Sequence, residues 1–260
     1  MKMYPFSCGS YVIDRGILDN ASWGEPYEHP IPMFAFRHPR GVVLFDTGHN
    51  HRGLADPRKW YGKSVDGFLE IRVTEEDCLP RQLARAGIDP SEVTHVVLSH
   101  LHIDHAGEMT SFPDAQFLVR ASELPFAWWS APNQRNSYIF NDLKDTREYN
   151  YLELPDDADF DLFGDGSLVC IHTPGHTPGH QSFLVRLPGH EKRIALCGDA
   201  CYGPSNLGGA LPNSGVLVDV PRWYRSIQRL RHLENCGCEL WFGHDMEDWR
   251  AKTEKAMNRK

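Results

Sequence analysis

Four residues of types that commonly bind metal ions lie close together in one short stretch of the chain. Residues 99–107 read SHLHIDHAG, and the ligand-type side chains in it are those of His100, His102, Asp104 and His105. Neutral imidazole and carboxylate are ligands that suit zinc and the neighbouring first-row metals. In extended backbone the alternate positions face the same way, whereas the adjacent Asp104 and His105 point apart. The stretch therefore predicts a metal centre, and two neighbouring ions fit its spacing better than one.

The elements around this stretch predict a mixed α and β protein. Residues 93–98 form a β-branched run that predicts a buried strand ending at the metal-binding stretch. Residues 219–233 predict a helix, because Asp219 can cap it and its apolar residues fall on one face. Residues 74–86 predict another helix, with Asp77 as its cap. Further strands are predicted at residues 32–37, 42–45, 115–119, 168–171, 181–185, 193–196 and 239–242.

Two regions lack a clear pattern of this kind. The chain before Pro32 is expected to be irregular apart from one short strand. Residues 49–73 form a long connection, which aromatic residues such as Trp60 are expected to keep ordered. Its two histidines, His49 and His51, are expected to lie on the surface.

Composition and charge limit the class of protein. The chain has 260 residues, of which 41% are hydrophobic, and it shows no linker or repeat, so residues 1–260 are expected to form a single domain. A formal net charge of -8 argues against a nucleic-acid partner. No run is apolar enough for a membrane span or an export signal, so a cytoplasmic location is expected. Seven cysteines without a regular spacing are expected to be free thiols.

Motifs along nearly the whole chain resemble those of one superfamily. The pattern His-x-His-x-Asp-His at residues 100–105 is preceded by LFDTG at 44–48 and followed by TPGHTPGH at 173–180, CGD at 197–199 and FGHD at 242–245. This order of motifs resembles the metallo-β-lactamase superfamily and, within it, the N-acyl-homoserine lactone lactonases. The resemblance implies an α+β protein with the metallo-β-lactamase fold, a four-layer αβ/βα sandwich with its site along one edge of two packed sheets.

The resemblance also implies a set of ligands and two catalytic groups. It assigns seven metal ligands, namely His100, His102 and His176 for a first ion, Asp104, His105 and His244 for a second, and Asp199 as a bridge. Zinc is the expected metal, and cobalt, manganese or iron would accept the same ligands. Tyr202 is expected to hydrogen-bond the substrate carbonyl, and Asp104 to pass a proton to the leaving oxygen. Asp46 is expected to orient the metal-binding loop.

The implied activity is hydrolysis of the lactone ring of N-acyl-homoserine lactones, called quorum quenching, by a hydroxide that bridges the two ions. The enzyme would be a carboxylic ester hydrolase whose partner is a small-molecule lactone. A glyoxalase II-like thioesterase and a pyridoxolactonase-like hydrolase remain alternatives with the same ligands. An oxygen reductase of the superfamily is disfavoured, because it carries glutamate in place of His102. The aromatic segment 123–151 is expected either to receive an acyl chain or to complete the core, and the oligomeric state, a homodimer included, stays open.

Overall fold

Two β-sheets form the centre of the computed structural model, which describes residues 1–65 and 69–257. The first sheet has the strand order β4-β1-β2-β3-β5-β6-β7. Its strands are β1 (Lys2–Asp14), β2 (Pro26–His38), β3 (Gly41–Phe45), β4 (Glu70–Arg72), β5 (Val93–Val97), β6 (Gln116–Arg120) and β7 (Asn150–Leu154). The second sheet has the order β12-β11-β10-β9-β8. Its strands are β8 (Phe160–Asp161), β9 (Leu168–His172), β10 (Gln181–Val185), β11 (Ile194–Leu196) and β12 (Glu239–Trp241).

Helices cover the outer faces of the sheets. They are α1 (Pro57–Tyr61), α2 (Leu79–Arg85), α3 (Glu123–Trp128), α4 (Phe140–Leu143), α5 (Pro204–Leu207), α6 (Val220–Asn235) and α7 (Met246–Met257). Buried residues of α2 and α3 pack on the first sheet, and Trp223, Ile227 and Leu230 of α6 pack on the second. Within the described ranges, no helix combines the length and the apolar character that crossing a bilayer requires.

The central core lies between the two sheets. Phe36, Phe45 and Val97 of the first sheet meet Phe183 and Leu196 of the second in one buried cluster. The rings of Phe45 and Phe183 stack with their centroids 5.2 Å apart. Burial of each such side chain contributes about 1.5–3 kcal/mol to folding. The layers are thus helix, sheet, sheet and helix, which confirms the predicted α+β sandwich.

The expectation that the chain before Pro32 is irregular is wrong. β1 and β2 pair antiparallel, with Lys2 opposite Arg37 and Asp14 opposite Pro26. The second half of β2 is the strand predicted at residues 32–37. The prolines of β2 obscured its first half in the sequence, because proline cannot donate to a sheet ladder. They lie in the part of β2 that pairs with β1, whereas β3 pairs with Phe34 and the residues after it.

Of the two predicted helices, one is confirmed and one begins later than expected. Asp219 caps α6 by accepting a hydrogen bond from the Arg222 N–H at 2.9 Å. The helix predicted from residue 74 begins instead at Leu79, with Cys78 as its N-cap. The reason is that Asp77 accepts a hydrogen bond from the Thr74 N–H at 2.9 Å and so closes a separate 3-10 turn.

The long connection after β3 is ordered where the structure describes it, while its residues 66–68 lie outside the described residues. His49 is completely buried, and its Nδ1 lies 2.6 Å from the Tyr11 hydroxyl oxygen. The expectation of a surface histidine is therefore wrong at this position. His51 is partly exposed, and its Nδ1 lies 2.6 Å from a carboxylate oxygen of Glu108.

A buried carboxyl group holds this connection against α4. Oδ1 of Asp142 accepts hydrogen bonds from Trp60 Nε1 at 2.7 Å and from Asn50 Nδ2 at 2.9 Å. Its Oδ2 is also buried and has no hydrogen-bond partner in the part of the chain that the structure describes. Because the carboxylate is removed from water, burial raises the pKa of Asp142 to about 7.

This pKa predicts a pH-dependent contribution to stability. The folded protein holds the Asp142 proton more tightly than the unfolded chain does, so the contribution is present at low pH and is lost as the pH rises through about 7. We expect the free energy of unfolding of the metal-free protein, minus that of Asp142→Asn, to fall by about 2–3 kcal/mol between pH 5 and pH 8. Urea unfolding across this range measures the difference. Asp145→Asn, on an exposed side chain, is the matched control, and a difference that does not vary with pH would contradict the prediction.

Candidate metal centre

The seven predicted ligand residues come together at one edge of the sandwich. Four follow β5 of the first sheet, and the others follow β9, β11 and β12 of the second. β10 pairs antiparallel with both β9 and β11, and β11 pairs parallel with β12. β9, β11 and β12 therefore run in the same direction, and the loops that follow them lie at the same edge of the sheet. The residues brought there are His100, His102, Asp104, His105, His176, Asp199 and His244.

Three histidines form the first ligand group. His176 Nε2 lies 3.1 Å from His100 Nε2 and 3.0 Å from His102 Nδ1. Oδ2 of Asp199 lies 3.4 Å from His176 Nε2 and 3.8 Å from His100 Nε2. All four side chains are buried. Ring nitrogens that converge in this way, with a carboxylate oxygen beside them, are suited to surround a cation.

The second ligand group contains two histidines and an aspartate. Oδ1 of Asp104 lies 3.6 Å from His105 Nε2, and its Oδ2 lies 3.6 Å from His244 Nε2. Oδ1 of Asp199 lies 3.2 Å from His105 Nε2 and 3.1 Å from His244 Nε2. Asp199 thus presents one oxygen to each group, which is the arrangement expected of a bridging carboxylate.

The polar atoms at the centre fit a metal. Within the described residues, His105 Nε2 and Asp199 Oδ1 are buried and make no hydrogen bond, although burial without a partner is costly. Burial disfavours the charged form of His105, yet the carboxylates of Asp104 and Asp199 outweigh it and hold its pKa well above its usual value. Asp199 and Asp104 likewise outweigh burial and raise the pKa of His244. This half of the site therefore favours positive charge, and divalent cations would supply it.

Hydrogen bonds at Nδ1 orient four of the imidazole rings so that Nε2 faces the centre of the site. When Nδ1–H donates to an oxygen, Nε2 keeps its lone pair for a metal. Four of the ligand histidines have such an oxygen within hydrogen-bond distance of Nδ1: Ser99 Oγ at 3.0 Å for His100, Asp46 Oδ2 at 2.8 Å for His105, the Val216 carbonyl oxygen at 2.7 Å for His176 and the Pro30 carbonyl oxygen at 3.0 Å for His244.

Asp46 orients the metal-binding loop, as the sequence predicts. Besides His105, its carboxylate accepts hydrogen bonds from the Ser99 N–H at 2.6 Å and the Ser99 hydroxyl at 2.8 Å. Asp46 also has a φ of 60°, and it is the one residue other than glycine with a positive φ among those the structure describes. Aspartate tolerates this conformation better than most residues, and such strain is often found at functional sites.

His180 hydrogen-bonds to the backbone of Asp199. Its Nε2 accepts a hydrogen bond from the Asp199 N–H at 2.9 Å, and its Nδ1 lies 3.1 Å from the Thr173 carbonyl oxygen. His180, the second histidine in TPGHTPGH, therefore makes structural hydrogen bonds on both of its ring nitrogens.

Glu123, at the start of α3, is a residue that the sequence did not single out. Its buried Oε1 accepts hydrogen bonds from the Leu101 N–H at 3.0 Å and the Tyr138 hydroxyl at 2.9 Å. Its Oε2 accepts from the Thr177 hydroxyl at 2.7 Å and the Gly179 N–H at 3.1 Å. Glu123 therefore ties the loop after β5 to the loop after β9. In the sequence it resembles an ordinary acidic residue in the first turn of a helix, so no local signal could have revealed this role.

A cavity of about 100 Å³ opens on the two ligand groups. Tyr202 lines it, and the hydroxyl oxygen lies 2.9 Å from His176 Nδ1. When the His176 proton is on Nδ1, the tautomer that leaves Nε2 for a metal, Nδ1–H donates toward the Val216 carbonyl oxygen and this hydroxyl oxygen, and the Tyr202 O–H can donate into the cavity. Burial first, and then the carboxylates of Asp199 and Asp104, raise the pKa of Tyr202 well above its usual value, so that the hydroxyl stays protonated.

The segment 123–151 contributes polar residues, rather than an aromatic wall, to this cavity. The residues of the segment that line it are Gln134, Asn136 and Ser137. Its aromatic side chains mostly pack against the core of the first sheet, while Trp129 and Phe140 are exposed. The segment was expected either to receive an acyl chain or to complete the core, and most of its aromatic residues complete the core.

Comparison with known proteins agrees with this fold and site. Residues 27–240 match the family model of the metallo-beta-lactamase superfamily, and the chain belongs to that superfamily. Two relatives are named N-acyl homoserine lactonase AttM: that of Agrobacterium fabrum strain C58 is 37% identical and that of Azorhizobium caulinodans 35% identical, each over 96% of this chain and 95% of the relative. A solved N-acyl homoserine lactone hydrolase, with N-hexanoyl-L-homoserine bound at its metal centre, is 25% identical and superposes with a TM-score of 0.84, covering 96% of this chain and 95% of that one. The predicted resemblance to the lactonase family is confirmed.

Proposed function

We propose that this protein opens the lactone ring of N-acyl-homoserine lactones by hydrolysis. The observation that carries the proposal is the Tyr202 hydroxyl beside two ligand groups that Asp199 joins, all in one cavity. Similarity to relatives named as lactonases supports this class of substrate. Two divalent ions would be held by the seven residues His100, His102, Asp104, His105, His176, Asp199 and His244.

The ligand chemistry favours zinc, because imidazole predominates, and cobalt, manganese or iron would accept the same side chains. Divalent ions in such a site supply a hydroxide nucleophile at neutral pH and polarise a carbonyl oxygen. His180, Asp46 and Glu123 hold the ligand loops in place before the substrate arrives.

Two side chains of the cavity act on the substrate in this proposal. The neutral Tyr202 hydroxyl donates a hydrogen bond to the lactone carbonyl oxygen, where negative charge develops during attack. Asp104 accepts the proton of the hydroxyl group newly added to the carbonyl carbon and passes it to the ring oxygen as the C–O bond breaks, so that ring opening yields the hydroxy carboxylate. Both residues line the same cavity, as this division of roles requires.

The proposal is tested by following acid release from a short and a long N-acyl-homoserine lactone, γ-butyrolactone and a thioester. Metal content is measured on the same samples. We expect fast opening of the acyl-homoserine lactones, loss of activity when a chelator removes about two ions per chain, and recovery when zinc is restored. Turnover of the thioester without lactone opening would contradict the proposed substrate and favour the glyoxalase II-like alternative.

A further inference from the structure

One glutamine in the wall of the cavity has a side-chain amide without a partner. Gln134 is 1% exposed, and it lines the cavity together with His102 and Asp104. Among the described residues, neither its Oε1 nor its Nε2 has a hydrogen-bond partner. Burying an amide in this state costs about 1–3 kcal/mol, because the group gives up its hydrogen bonds to water.

Backbone hydrogen bonds hold the turn that carries this unpaired amide. The Gln134 N–H donates to the Ala131 carbonyl oxygen at 2.9 Å, and the Gln134 carbonyl oxygen accepts from the Ser137 N–H at 2.9 Å. The Ser137 carbonyl oxygen then accepts from the Ile103 N–H, between two metal-ligand positions, at 2.9 Å. The turn that carries Gln134 is therefore tied to the metal-binding loop, which holds the backbone of Gln134 at the edge of the site.

We propose that Gln134 is a specificity-determining residue that pairs with an amide group of the substrate. The inference rests on the proposed function and specifies its substrate class. The N-acyl group of an acyl-homoserine lactone carries one N–H donor and one carbonyl acceptor next to the ring. Oε1 of Gln134 accepts from that N–H or Nε2 donates to that carbonyl oxygen, and either contact satisfies one of the two unpaired atoms and so relieves part of the cost of the buried amide.

Lactones without an amide leave Gln134 unsatisfied. Their carbonyl and ring oxygens are used by Tyr202 and Asp104 in the reaction proposed above, and they offer no N–H group. A site built to hydrogen-bond a substrate group discriminates against an analogue that lacks it, because the polar atom of the protein then remains unpaired. Gln134 thus favours N-acylated lactones over alkyl-substituted ones of the same length.

The test compares two lactones of equal length. N-hexanoyl-homoserine lactone has an amide, and in α-heptyl-γ-butyrolactone that amide is replaced by two methylene groups. We expect Gln134→Met, which keeps the length of the side chain and removes its amide, to lower kcat/KM for the acyl-homoserine lactone about 10- to 100-fold, mainly through KM. The variant should open the heptyl lactone at least as fast as the unsubstituted protein does. Its metal content should be unchanged and its Tm equal or higher.

Gln228→Met, on the exposed side of α6, is the matched control and should leave kcat/KM unchanged for both lactones. Equal losses on both lactones, or no loss on either, would overturn the role of Gln134 while leaving lactone hydrolysis intact. The role of Gln134 is also overturned if the unsubstituted protein has no higher kcat/KM for N-hexanoyl-homoserine lactone than for α-heptyl-γ-butyrolactone. If the unsubstituted protein opens neither lactone, the proposed function fails, and this inference fails with it.

Discussion

Asp199→Asn is expected to lower kcat/KM for acyl-homoserine lactones by about a thousandfold, equivalent to about 4 kcal/mol of transition-state stabilisation. The reason is that the two oxygens of Asp199 face different ligand groups, Oδ2 toward His176 and Oδ1 toward His244. Asparagine has one oxygen and one NH₂ group, and the NH₂ group cannot bind a metal. We therefore expect metal content to fall from about two ions per chain to about one or fewer. Elemental analysis and steady-state kinetics on the same preparation measure both effects.

The matched control for this substitution is Asp219→Asn. Asp219 caps α6, and asparagine is an equally good N-cap, so activity and metal content should stay as they are. An Asp199→Asn protein that kept both ions and full activity would show that Asp199 does not join the two groups.

Tyr202→Phe is expected to lower kcat by about a hundredfold while metal content stays unchanged. The substitution removes a hydroxyl that lines the cavity but leaves the ring, which packs against Ile13 and Leu18. Since the hydroxyl remains protonated at neutral pH, the ratio of kcat between the unsubstituted protein and Tyr202→Phe should stay constant throughout the neutral range.

Tyr224→Phe, which removes a hydroxyl from a partly exposed tyrosine on α6, is the control for this change. If Tyr202→Phe lost metal in proportion to its activity, the tyrosine would support the ligands rather than act on the substrate. Full activity in the variant would remove Tyr202 from the mechanism.

The sequence predicted part of the ligand set because the signal of these residues is local. The spacing of His100, His102 and Asp104 indicates a metal site within one loop, and the motif around Asp199 is equally short. The strands before these motifs were also recognised, since each is a compact apolar run. The choice of His176, Asp199 and His244 as ligands and the assignment of each residue to one ion came from family resemblance. Both stay proposals, as does the single domain over residues 1–260.

The features that the sequence missed depend on contacts between distant parts of the chain. Glu123 accepts hydrogen bonds from Leu101 and Gly179, which lie 22 and 56 residues away. Gln134 looks like a loop residue, and only the cavity shows that its amide is buried without a partner. The first half of β2 was missed because its prolines break the strand pattern, although this part of the strand pairs with β1.

Each ligand group takes residues from both sheets. His100 and His102 come from the first sheet and His176 from the second, and the other group combines Asp104 and His105 with His244 in the same way. An ion bound to either group is therefore a cross-link between the N-terminal and C-terminal halves of the fold. The sheets could separate only by releasing both ions, so metal binding would add to folding stability, by about 2.7 kcal/mol per site when free metal is 100 times its Kd. The supply of metal would then govern how long the protein survives heat or denaturant, and not only whether it is active.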